Sequence, residues 1–310
     1  MRVVFFGTPE FAVPSLHALV GEGFDVVAVV TQPDKPQGRS RSKLVPPPVK
    51  VAAEAEELPV LQPDKPTDAA FLARLSDLEP RPDVGVVVAY GHILKPDLLA
   101  LPARGMVNVH PSLLPELRGA APVEWAIIRG LEKTGVTIMQ MDTGMDSGPI
   151  LHQIPHHLDH DVTGGELSDH LAEMGALALV ETLALIGQDA LRPVPQDHGR
   201  ATYAPKLTRE SARIDWTRDA AAIARLIRGL DPRPGAWTEL DGAELKLFSA
   251  RAADGRGPAG ELLITDGRLL IAGGGGGAVE VDEVQPAGKE RMPAGEWLHG
   301  ARLAAGRRVV

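Results

Sequence analysis

The chain contains the run Asp83-Val84-Gly85-Val86-Val87-Val88-Ala89-Tyr90, which is almost entirely apolar and has the length of a buried strand. Three further runs of this kind stand at residues 2–6, 24–31 and 105–110, and helical stretches such as residues 68–78 lie between them. Strands that are apolar on both faces and alternate with helices are typical of a parallel sheet with helices on both sides. The sequence therefore predicts an α/β domain with a Rossmann-like, mostly parallel sheet.

Two segments carry the sequence signals of a helix start. In the turn after the first apolar run, Thr8 suits the N-cap and Pro9 the first helical position. We therefore expect a helix that begins there and ends near residues 21–23. Residues 163–166 read Thr-Gly-Gly-Glu, a capping box that predicts a long helix through about Leu185.

The pattern changes in the last third of the chain. After the proline-bearing residues 191–205, one helical stretch at residues 218–229 is followed by short strands that turn residues separate. The dipeptides Asp241-Gly242 and Asp266-Gly267 are strong hairpin signals. Five short strands with such turns predict a small β-barrel of the oligonucleotide-binding (OB) type. The strands expected are Ala236–Leu240, Glu244–Ser249, Gly260–Thr265, Arg268–Ala272 and Ala278–Val284.

Length and composition fit a soluble chain of more than one domain. At 310 residues we expect the parallel-sheet domain at residues 1–190, a linker at 191–205 and the OB-like barrel at 206–310. The chain has no cysteine, which excludes disulfides, thiolate metal sites and cysteine nucleophiles. It has no run of about 18 apolar residues and no signal-peptide cleavage region, so we expect a cytoplasmic protein without a membrane partner.

One segment breaks the acidic character of the chain. The net charge of −9 argues against indiscriminate nucleic-acid binding. Residues 35–50, however, hold five basic residues and no acidic one. Three of the five, Arg39, Arg41 and Lys43, lie among glycine and serine residues. Such a connection is either a solvated loop or a surface that contacts phosphates, and these residues alone leave both interpretations open.

Polar side chains stand at the end of the fourth apolar run. Side chains alternate along a strand, so Asn108 and His110 are expected on the same face. Pro111 has no amide hydrogen and ends the strand, which leaves the pair at its carboxyl end, where open parallel sheets bind ligands. Asp146 lies downstream in a glycine-rich turn, where an aspartate by itself is usually only a turn residue. An amide, an imidazole and a carboxylate that converge at this edge would suit acyl transfer.

The segment His156-His157-Leu158-Asp159-His160-Asp161 has the composition of a metal site. Adjacent residues of an extended segment point in opposite directions, whereas the ligands of a metal must converge. We therefore predict a solvated loop at this segment and no metal in the protein.

Taken together, these residues resemble the methionyl-tRNA formyltransferases of the folate-dependent formyltransferase superfamily. The resemblance runs nearly from one end of the chain to the other, and its motifs are very specific. The matching pieces are residues 4–12, 32–36, 38–39, 89–91, Asn108-Val109-His110, 112–115, Arg118-Gly119-Ala120-Ala121-Pro122, 141–148, 203–206, 213–216 and 234–237.

The resemblance implies roles for individual residues. In this family the residues that match Asn108, His110 and Asp146 form the catalytic trio, and 10-formyltetrahydrofolate is the co-substrate. The residues assigned to the folate are Ser112, Leu113, Leu114, Pro115, Tyr90 and Gly91. The basic loop and the second domain contact tRNA in this family, and the residues assigned to that contact are Arg39, Arg41, Lys43 and Lys206.

The reaction implied is transfer of a formyl group from 10-formyltetrahydrofolate to the α-amino group of methionyl initiator tRNA, by a monomeric enzyme. The nearest alternative is a formyltransferase of the same superfamily that acts on an amino sugar nucleotide, and the cationic loop favours tRNA over it. A folate- or nucleotide-binding regulator is disfavoured, because binding alone needs no catalytic trio. A nicotinamide-dependent oxidoreductase is disfavoured because the turn at residues 7–10 lacks the Gly-x-Gly-x-x-Gly motif.

Overall fold

The computed structural model of the chain describes residues 1–37, 43–301, 303 and 306–310. The chain divides into two units, each built from several segments. The first unit comprises Met1–Gly119, Thr134–His156 and Ser168–Tyr203. The second unit comprises Ala120–Lys133, His157–Leu167 and Ala204–Val310, so two of its segments precede residue 190 in the chain.

Eleven strands and six helices are described up to residue 204. The strands are β1 (Arg2–Gly7), β2 (Asp25–Val30), β3 (Lys35–Gln37), β4 (Lys43–Val45), β5 (Val60–Leu61), β6 (Val84–Val88), β7 (Met106–His110), β8 (Arg118–Gly119), β9 (Lys133–Gln140), β10 (Ile150–His157) and β11 (Tyr203–Ala204). The helices are α1 (Val13–Gly21), α2 (Pro48–Ala55), α3 (Ala69–Ser76), α4 (Pro96–Leu99), α5 (Pro122–Ile128) and α6 (Gly164–Gly187).

Seven of these strands form one sheet in the order β10-β9-β7-β6-β1-β2-β5. The strand pairs β1–β2, β1–β6, β2–β5 and β6–β7 are parallel, whereas β9 runs antiparallel to β7. The apolar strands are buried on both faces, since Val3 to Phe6 of β1 are at most 1% exposed and every residue of β6 is buried. The predicted mostly parallel sheet is thereby confirmed.

The first helix begins later than the sequence predicts. A 3-10 turn covers Glu10–Ala12, and α1 starts only at Val13. The hydroxyl of Thr8 does not cap this helix but donates to the backbone carbonyl of Tyr90, 3.1 Å away. The prediction of Thr8 as an N-cap is therefore wrong, because a hydrogen bond to the residues that follow β6 replaces the local one.

The capping box before α6 is confirmed. The Glu166 amide donates to Thr163 Oγ1 over 3.3 Å. The Glu166 carboxylate accepts from the Thr163 hydroxyl over 2.7 Å and from the Thr163 amide over 3.0 Å, and these two bonds, in that order, lower the pKa of the carboxyl. By length and composition alone, α6 could cross a membrane. A buried core helix passes the same test, and Leu171, Leu179 and Leu183 of α6 are fully buried.

The second unit contains an antiparallel sheet. Its further elements are α7 (Ala220–Gly229), β12 (Ala236–Leu240), β13 (Ala243–Ala253), β14 (Leu262–Thr265), β15 (Arg268–Ala272), β16 (Ala278–Pro286), β17 (Met292–Pro293) and α8 (Ala294–Ala301). The strands follow the order β12-β13-β16-β15-β14, and β17 pairs with β16. Each of the five predicted strands is present, whereas β17 and α8 carried no signal that we recognised.

The two hairpins fall where the dipeptides predict them. Asp241 and Gly242 join β12 to β13, and both have positive φ, 53° and 78°. Asp266 and Gly267 join β14 to β15 with φ of 51° and 74°. Two consecutive residues with positive φ are typical of the type I′ turn, whose twist matches that of the strands it connects.

The segment at residues 307–310 lies between the two ends of the antiparallel sheet. Val309 bridges Leu240 at the end of β12, and Arg308 bridges Glu261, which precedes β14. The Val309 side chain is only 3% exposed and belongs to the core of the second unit. This segment therefore joins the first and last strands of the sheet in the way that a barrel requires.

Candidate active site

Asn108 and His110 occupy the carboxyl-terminal half of β7, in the interior of the large sheet. Asn108 pairs with Val87 of the parallel strand β6, and His110 pairs with Thr137 of the antiparallel strand β9. Two residues apart on a strand, Asn108 and His110 present their side chains on the same face. The sheet therefore places the amide of Asn108 and the imidazole of His110 on one face at its carboxyl edge, as the sequence predicts.

The imidazole of His110 is buried, with 4% of the residue exposed, and both ring nitrogens face acceptors. Nε2 lies 3.1 Å from the backbone carbonyl of Leu117, and Nδ1 lies 3.9 Å from Asp146 Oδ2. A carbonyl can only accept, so Nε2 must carry a hydrogen. A neutral ring would then turn a lone pair toward the carboxylate, whereas a protonated ring turns an N–H toward it.

The carboxylate of Asp146 is held by the backbone around it. Its Oδ2 accepts from the Gly119 amide over 2.8 Å. Asp146 itself has a positive φ of 49°, a conformation that costs a non-glycine residue free energy unless its surroundings enforce it. The backbone carbonyls of Asp146 and Gly148 both accept from the side-chain amide of Gln196, at 2.9 and 2.7 Å. The turn that carries Asp146 is thus fixed in place.

Gln196 also holds a buried arginine. Its Oε1 accepts from Nε and Nη2 of Arg118, at 3.2 and 2.6 Å, and the same Nη2 lies 3.0 Å from Nδ1 of His198. Arg118 is 4% exposed and Gln196 6% exposed. We did not predict Gln196, because it lies in the segment that we interpreted as a linker and no local motif marks it.

Asn108 differs from His110 and Asp146 in its lack of a side-chain partner among the described residues. Within the described part of the chain, its amide makes no hydrogen bond, and the residue is partly exposed. A polar group that keeps its donors free next to a buried imidazole can bind the oxygen of a substrate.

The loop predicted to hold folate is tied to β9 and β10. The Thr137 hydroxyl donates to the Ser112 carbonyl over 2.6 Å and accepts from the Leu114 amide over 3.1 Å. The Gln153 amide donates to the Leu114 carbonyl over 2.9 Å. Ser112 and Leu114 are buried, whereas Leu113 and Pro115 are partly exposed. Of the four predicted residues, Leu113 and Pro115 are the ones whose side chains can reach a ligand.

Tyr90 and Gly91 follow β6. The Tyr90 ring is 1% exposed and packs edge-on against Phe6, with ring centroids 5.5 Å apart, and burial raises the pKa of its phenol to about 12. Its carbonyl accepts from Thr8 and from Gln32. Gly91 is exposed and has a φ of 83°, and a Cβ there would lie 2.5 Å from the Gln32 amide. Tyr90 therefore positions this turn, and Gly91 is the residue open to a ligand.

Two exposed apolar side chains flank these residues and escaped the sequence analysis. Met145, next to Asp146, is 62% exposed, and Ile93, two residues beyond Gly91, is 84% exposed. Large exposed apolar groups near a polar site are typical of binding surfaces for flat, partly apolar ligands.

The predicted tRNA contacts are only partly described. Arg39 and Arg41 lie outside the described residues, and Lys43 begins β4, which pairs with β3. Lys206 is exposed in the second unit. Lys50, the last basic residue of the loop, forms an ion pair with Asp34 over 2.9 Å; the Gln62 side chain and then Lys50 lower the pKa of Asp34 by hydrogen bonding.

The histidine-rich segment does not form a metal site among the described residues, where no group of three or more potential ligands converges. His156 and His157 end β10, and the His156 ring packs against His170, with centroids 4.3 Å apart. His157 and the loop that follows line a cavity of the second unit.

Two families match the chain. The family described as "Formyl transferase" matches residues 1–183, and "Formyl transferase, C-terminal domain" matches residues 206–302. The chain is 47% identical to the methionyl-tRNA formyltransferase of Pelotomaculum thermopropionicum, over 99% of this chain and 97% of the relative. It is 48% identical to that of Roseiflexus sp., over 100% of this chain and 95% of the relative.

Solved structures share the fold at low identity. HypX from Aquifex aeolicus in complex with tetrahydrofolic acid is similar with a TM-score of 0.66 and 19% identity, over 96% of this chain and 47% of HypX. This chain thus spans about half the length of HypX. An N-formyltransferase from Helicobacter canadensis in complex with folinic acid and dTDP-3-aminofucose gives a TM-score of 0.69 and 17% identity, over 92% of this chain and 99% of that chain.

Proposed function

Because the chain belongs to the formyl transferase family, and within it to the methionyl-tRNA formyltransferases, we propose that Asn108, His110 and Asp146 carry its reaction. The enzyme transfers the formyl group of 10-formyltetrahydrofolate to the α-amino group of methionyl initiator tRNA. The product is N-formylmethionyl-tRNA for translation initiation. The observation that carries the proposal is the approach of His110 Nδ1 to Asp146 Oδ2, 3.9 Å, on the face of β7 that also carries the Asn108 amide, which bonds to none of the described residues.

The reaction does not require a strong general base. An α-amine has a reference pKa of about 7.7–8.0, and a neighbouring ester lowers it, so much of the nucleophile is neutral at pH 7. A bond forms between the amine nitrogen and the formyl carbon, the bond from that carbon to N10 of the folate breaks, and one proton passes from the amine to N10. The demanding part is the negative charge that develops on the formyl oxygen.

Asn108 is suited to stabilise that charge, because its amide N–H groups are not used by the protein in its described part. A donor fixed in advance at the position of a developing oxyanion contributes about 3–4 kcal/mol to the transition state. In its protonated form, His110 adds a second donor through Nδ1, since the carbonyl of Leu117 already holds Nε2. The two donors act on the same oxygen from the same face of β7.

Asp146 has two roles in this proposal. Its negative charge faces the protonated ring of His110 from 3.9 Å, a distance too long for a hydrogen bond, so the Nδ1 hydrogen stays available to the formyl oxygen; the Gly119 amide holds Oδ2 in this position. The same carboxylate can take the proton released by the attacking amine and return it to the leaving nitrogen, as a general base and then a general acid. No metal is needed for either role.

The binding of both substrates extends the proposal. We assign Leu113, Pro115 and Gly91, with the exposed Ile93 and Met145, to the ring system of the folate, because each of these residues is at least partly accessible. We assign Arg39, Arg41, Lys43 and Lys206 to tRNA phosphates, because a cationic segment on an acidic chain attracts them. We also propose a catalytic domain at residues 1–190, a linker at 191–205 and a barrel domain at 206–310. In this proposal the enzyme acts as a monomer in the cytoplasm.

A formylation assay with charged initiator tRNA tests the proposal. We expect Asn108→Ala to lower kcat about 100- to 1000-fold while folate binding, followed separately by fluorescence, stays within about threefold. Near-normal turnover of this variant would contradict the assignment. An amino sugar nucleotide offered as the acceptor should give no product with the wild-type enzyme, and formylation of that amine in preference to the tRNA would overturn the choice of substrate.

A further inference from the structure

A cavity of about 780 Å³ lies in the second unit, and none of the residues that line it belongs to the candidate active site. Its walls come from α7, from residues 157–162 and from β13. This volume lies within the range of small-molecule sites, about 300–1000 Å³. The formyl transfer proposed above makes no use of it.

Two arginines of α7 line this cavity, and neither forms an ion pair within the described part of the chain. Arg225 and Arg228 are three residues apart and so share one side of the helix. The Nε atoms of both are buried and have no hydrogen-bond partner among the described residues. Nη1 of Arg228 donates to the Ala250 carbonyl over 2.8 Å, whereas Arg225 makes no hydrogen bond or ion pair with any described residue.

The carboxylates of the cavity do not neutralise this pair. Glu132, Asp159 and Asp161 also line it, but all three are exposed, and in the described part of the chain none approaches either guanidinium within the 4.0 Å of an ion pair. Burial lowers the pKa of Arg228; the charge of Asp161 opposes this effect in part, and the charge of Arg225 lowers the pKa further. Two partly buried like charges without a partner are unfavourable, and an anion between them would relieve this cost.

Arg251, the third arginine of the cavity, shows the contrast. It pairs with Glu280 over 2.8 Å and with Asp282 over 2.7 Å, so its charge is already neutralised. The backbone also makes room for Arg225, because Gly130 has a φ of 66° and a Cβ there would lie 2.9 Å from Arg225 Nε. The Nε side of the Arg225 guanidinium is thus packed against Gly130, while its Nη groups make no hydrogen bond with any described residue.

We propose that Arg225 and Arg228 form a binding site for the phosphate group of a small phosphorylated molecule. Arginine presents its N–H donors in a planar fork that matches two oxygens of a phosphate, and here the accessible donors are both Nη groups of Arg225 and Nη2 of Arg228, which bond to no described residue and, unlike the two Nε atoms, are not fully buried. The exposed His157 and His160 line the same cavity and add donors when protonated. A bound phosphate places a negative charge next to Arg225 and Arg228, which form no ion pair with any described residue.

Calorimetric titration of the full-length enzyme with inorganic phosphate, at constant ionic strength with chloride as the exchanged ion, tests the site. We expect saturable binding to the wild type and an affinity at least about tenfold weaker for Arg225→Gln and for Arg228→Gln. Arg218→Gln is the matched control, because it removes an exposed charge that precedes the same helix and does not line the cavity. It should bind phosphate like the wild type.

Arg228→Gln gives up the bond to Ala250 and could lose stability, so Arg225→Gln, which gives up no described bond, decides the test. Formylation without added phosphate should stay at the wild-type rate in both variants, which separates this site from the proposed catalytic residues. No phosphate binding to the wild type, or equal affinity in Arg225→Gln, would overturn the proposal. A raised KM for tRNA in both variants, without phosphate binding to the wild type, would assign the arginines to RNA instead.

Discussion

The side-chain amide of Gln196 donates to the backbone carbonyl of Asp146 over 2.9 Å, although 50 residues separate the two in the chain. The same side chain accepts two bonds from Arg118, so one amide joins a buried cation to the turn that carries the carboxylate. Bonds among groups shielded from water are stronger than their exposed counterparts, and an unpaired member is costly. The position of Asp146 therefore depends on a residue that touches no substrate in our proposal.

We expect Gln196→Glu to separate stability from turnover. The glutamate keeps an acceptor for Arg118 and adds a charge that pairs with it, which offsets part of the cost of leaving two carbonyls without a donor, so the thermal unfolding midpoint should fall less than in Gln196→Asn. It cannot donate to the carbonyls of Asp146 and Gly148, and kcat should drop about 10- to 100-fold with a smaller change in the KM for either substrate.

Gln196→Asn is the companion variant, since its shorter amide reaches neither partner and should lose stability and turnover together. The measurements are steady-state formylation and thermal unfolding of both variants. Wild-type kcat in Gln196→Glu would show that the donated bonds do not position the carboxylate.

Removing the charge of Asp146 should leave the fold intact but not the activity. Asp146→Asn keeps an oxygen that can accept from the Gly119 amide, so the unfolding free energy should change by less than about 1 kcal/mol. Loss of the charge next to His110 and of the proton carrier should lower kcat about 100- to 10,000-fold.

Asp142→Asn is the matched control, because Asp142 lies exposed in the same loop and its loss of charge is the same. It should retain kcat within about threefold. Equal losses in the two variants would mean that general charge of the loop, and not the carboxylate beside His110, supports the reaction.

The structural predictions were correct where the residues that interact are close to each other in the sequence. The Asp-Gly turns depend on positive φ at two adjacent residues, and Thr163 and Glu166 satisfy each other three residues apart. Buried parallel strands such as β6 can also be predicted from their own residues, because an apolar run of this length indicates a buried strand whatever its neighbours in the sheet are. Asn108 and His110 belong to this group, since strand alternation alone places them on one face.

The predictions were wrong or incomplete where a side chain bonds to a residue that is distant in the sequence. Thr8 has the composition of an N-cap, yet its hydroxyl bonds to Tyr90, 82 residues away. Gln196 lies in a segment whose prolines suggested a linker, and its role follows only from the approach of that segment to Arg118 and Asp146. No periodicity or spacing in one sequence encodes such pairings, because they result from tertiary packing.

Acid should remove a stabilising ion pair at the start of β1. The side chain and backbone amide of Arg2 donate to Asp83 and lower the pKa of that carboxyl from 3.8 to about 2. The stabilisation is complete above pH 3.8, the pKa of this carboxyl in the unfolded chain, and is lost as the pH falls toward 2. Below pH 2 the Asp83 carboxyl is protonated in both the folded and the unfolded chain, so it no longer favours folding. The shift corresponds to at most about 2.4 kcal/mol. Since Arg2 is 41% exposed, screening reduces this to about 1 kcal/mol.

Urea unfolding of the wild type and of Asp83→Asn between pH 6 and pH 3 measures this contribution. The difference in unfolding free energy should be about 1 kcal/mol at pH 6 and shrink as the pH drops below 3.8. A difference that stays constant over this range would mean that the carboxylate charge is not its source.

The segment at residues 307–310 should contribute to the stability of the second unit through Val309. This side chain is 3% exposed, and its amide donates to the Gly260 carbonyl over 2.9 Å, whereas the neighbouring Val310 is 63% exposed. Val309→Ala removes buried methyl groups and should cost about 1–2 kcal/mol of unfolding free energy, while Val310→Ala should cost less than about 0.5 kcal/mol. Both variants keep the backbone bonds, so urea unfolding isolates the packing contribution. Equal stability of the two would show that Val309 is not packed in the barrel core.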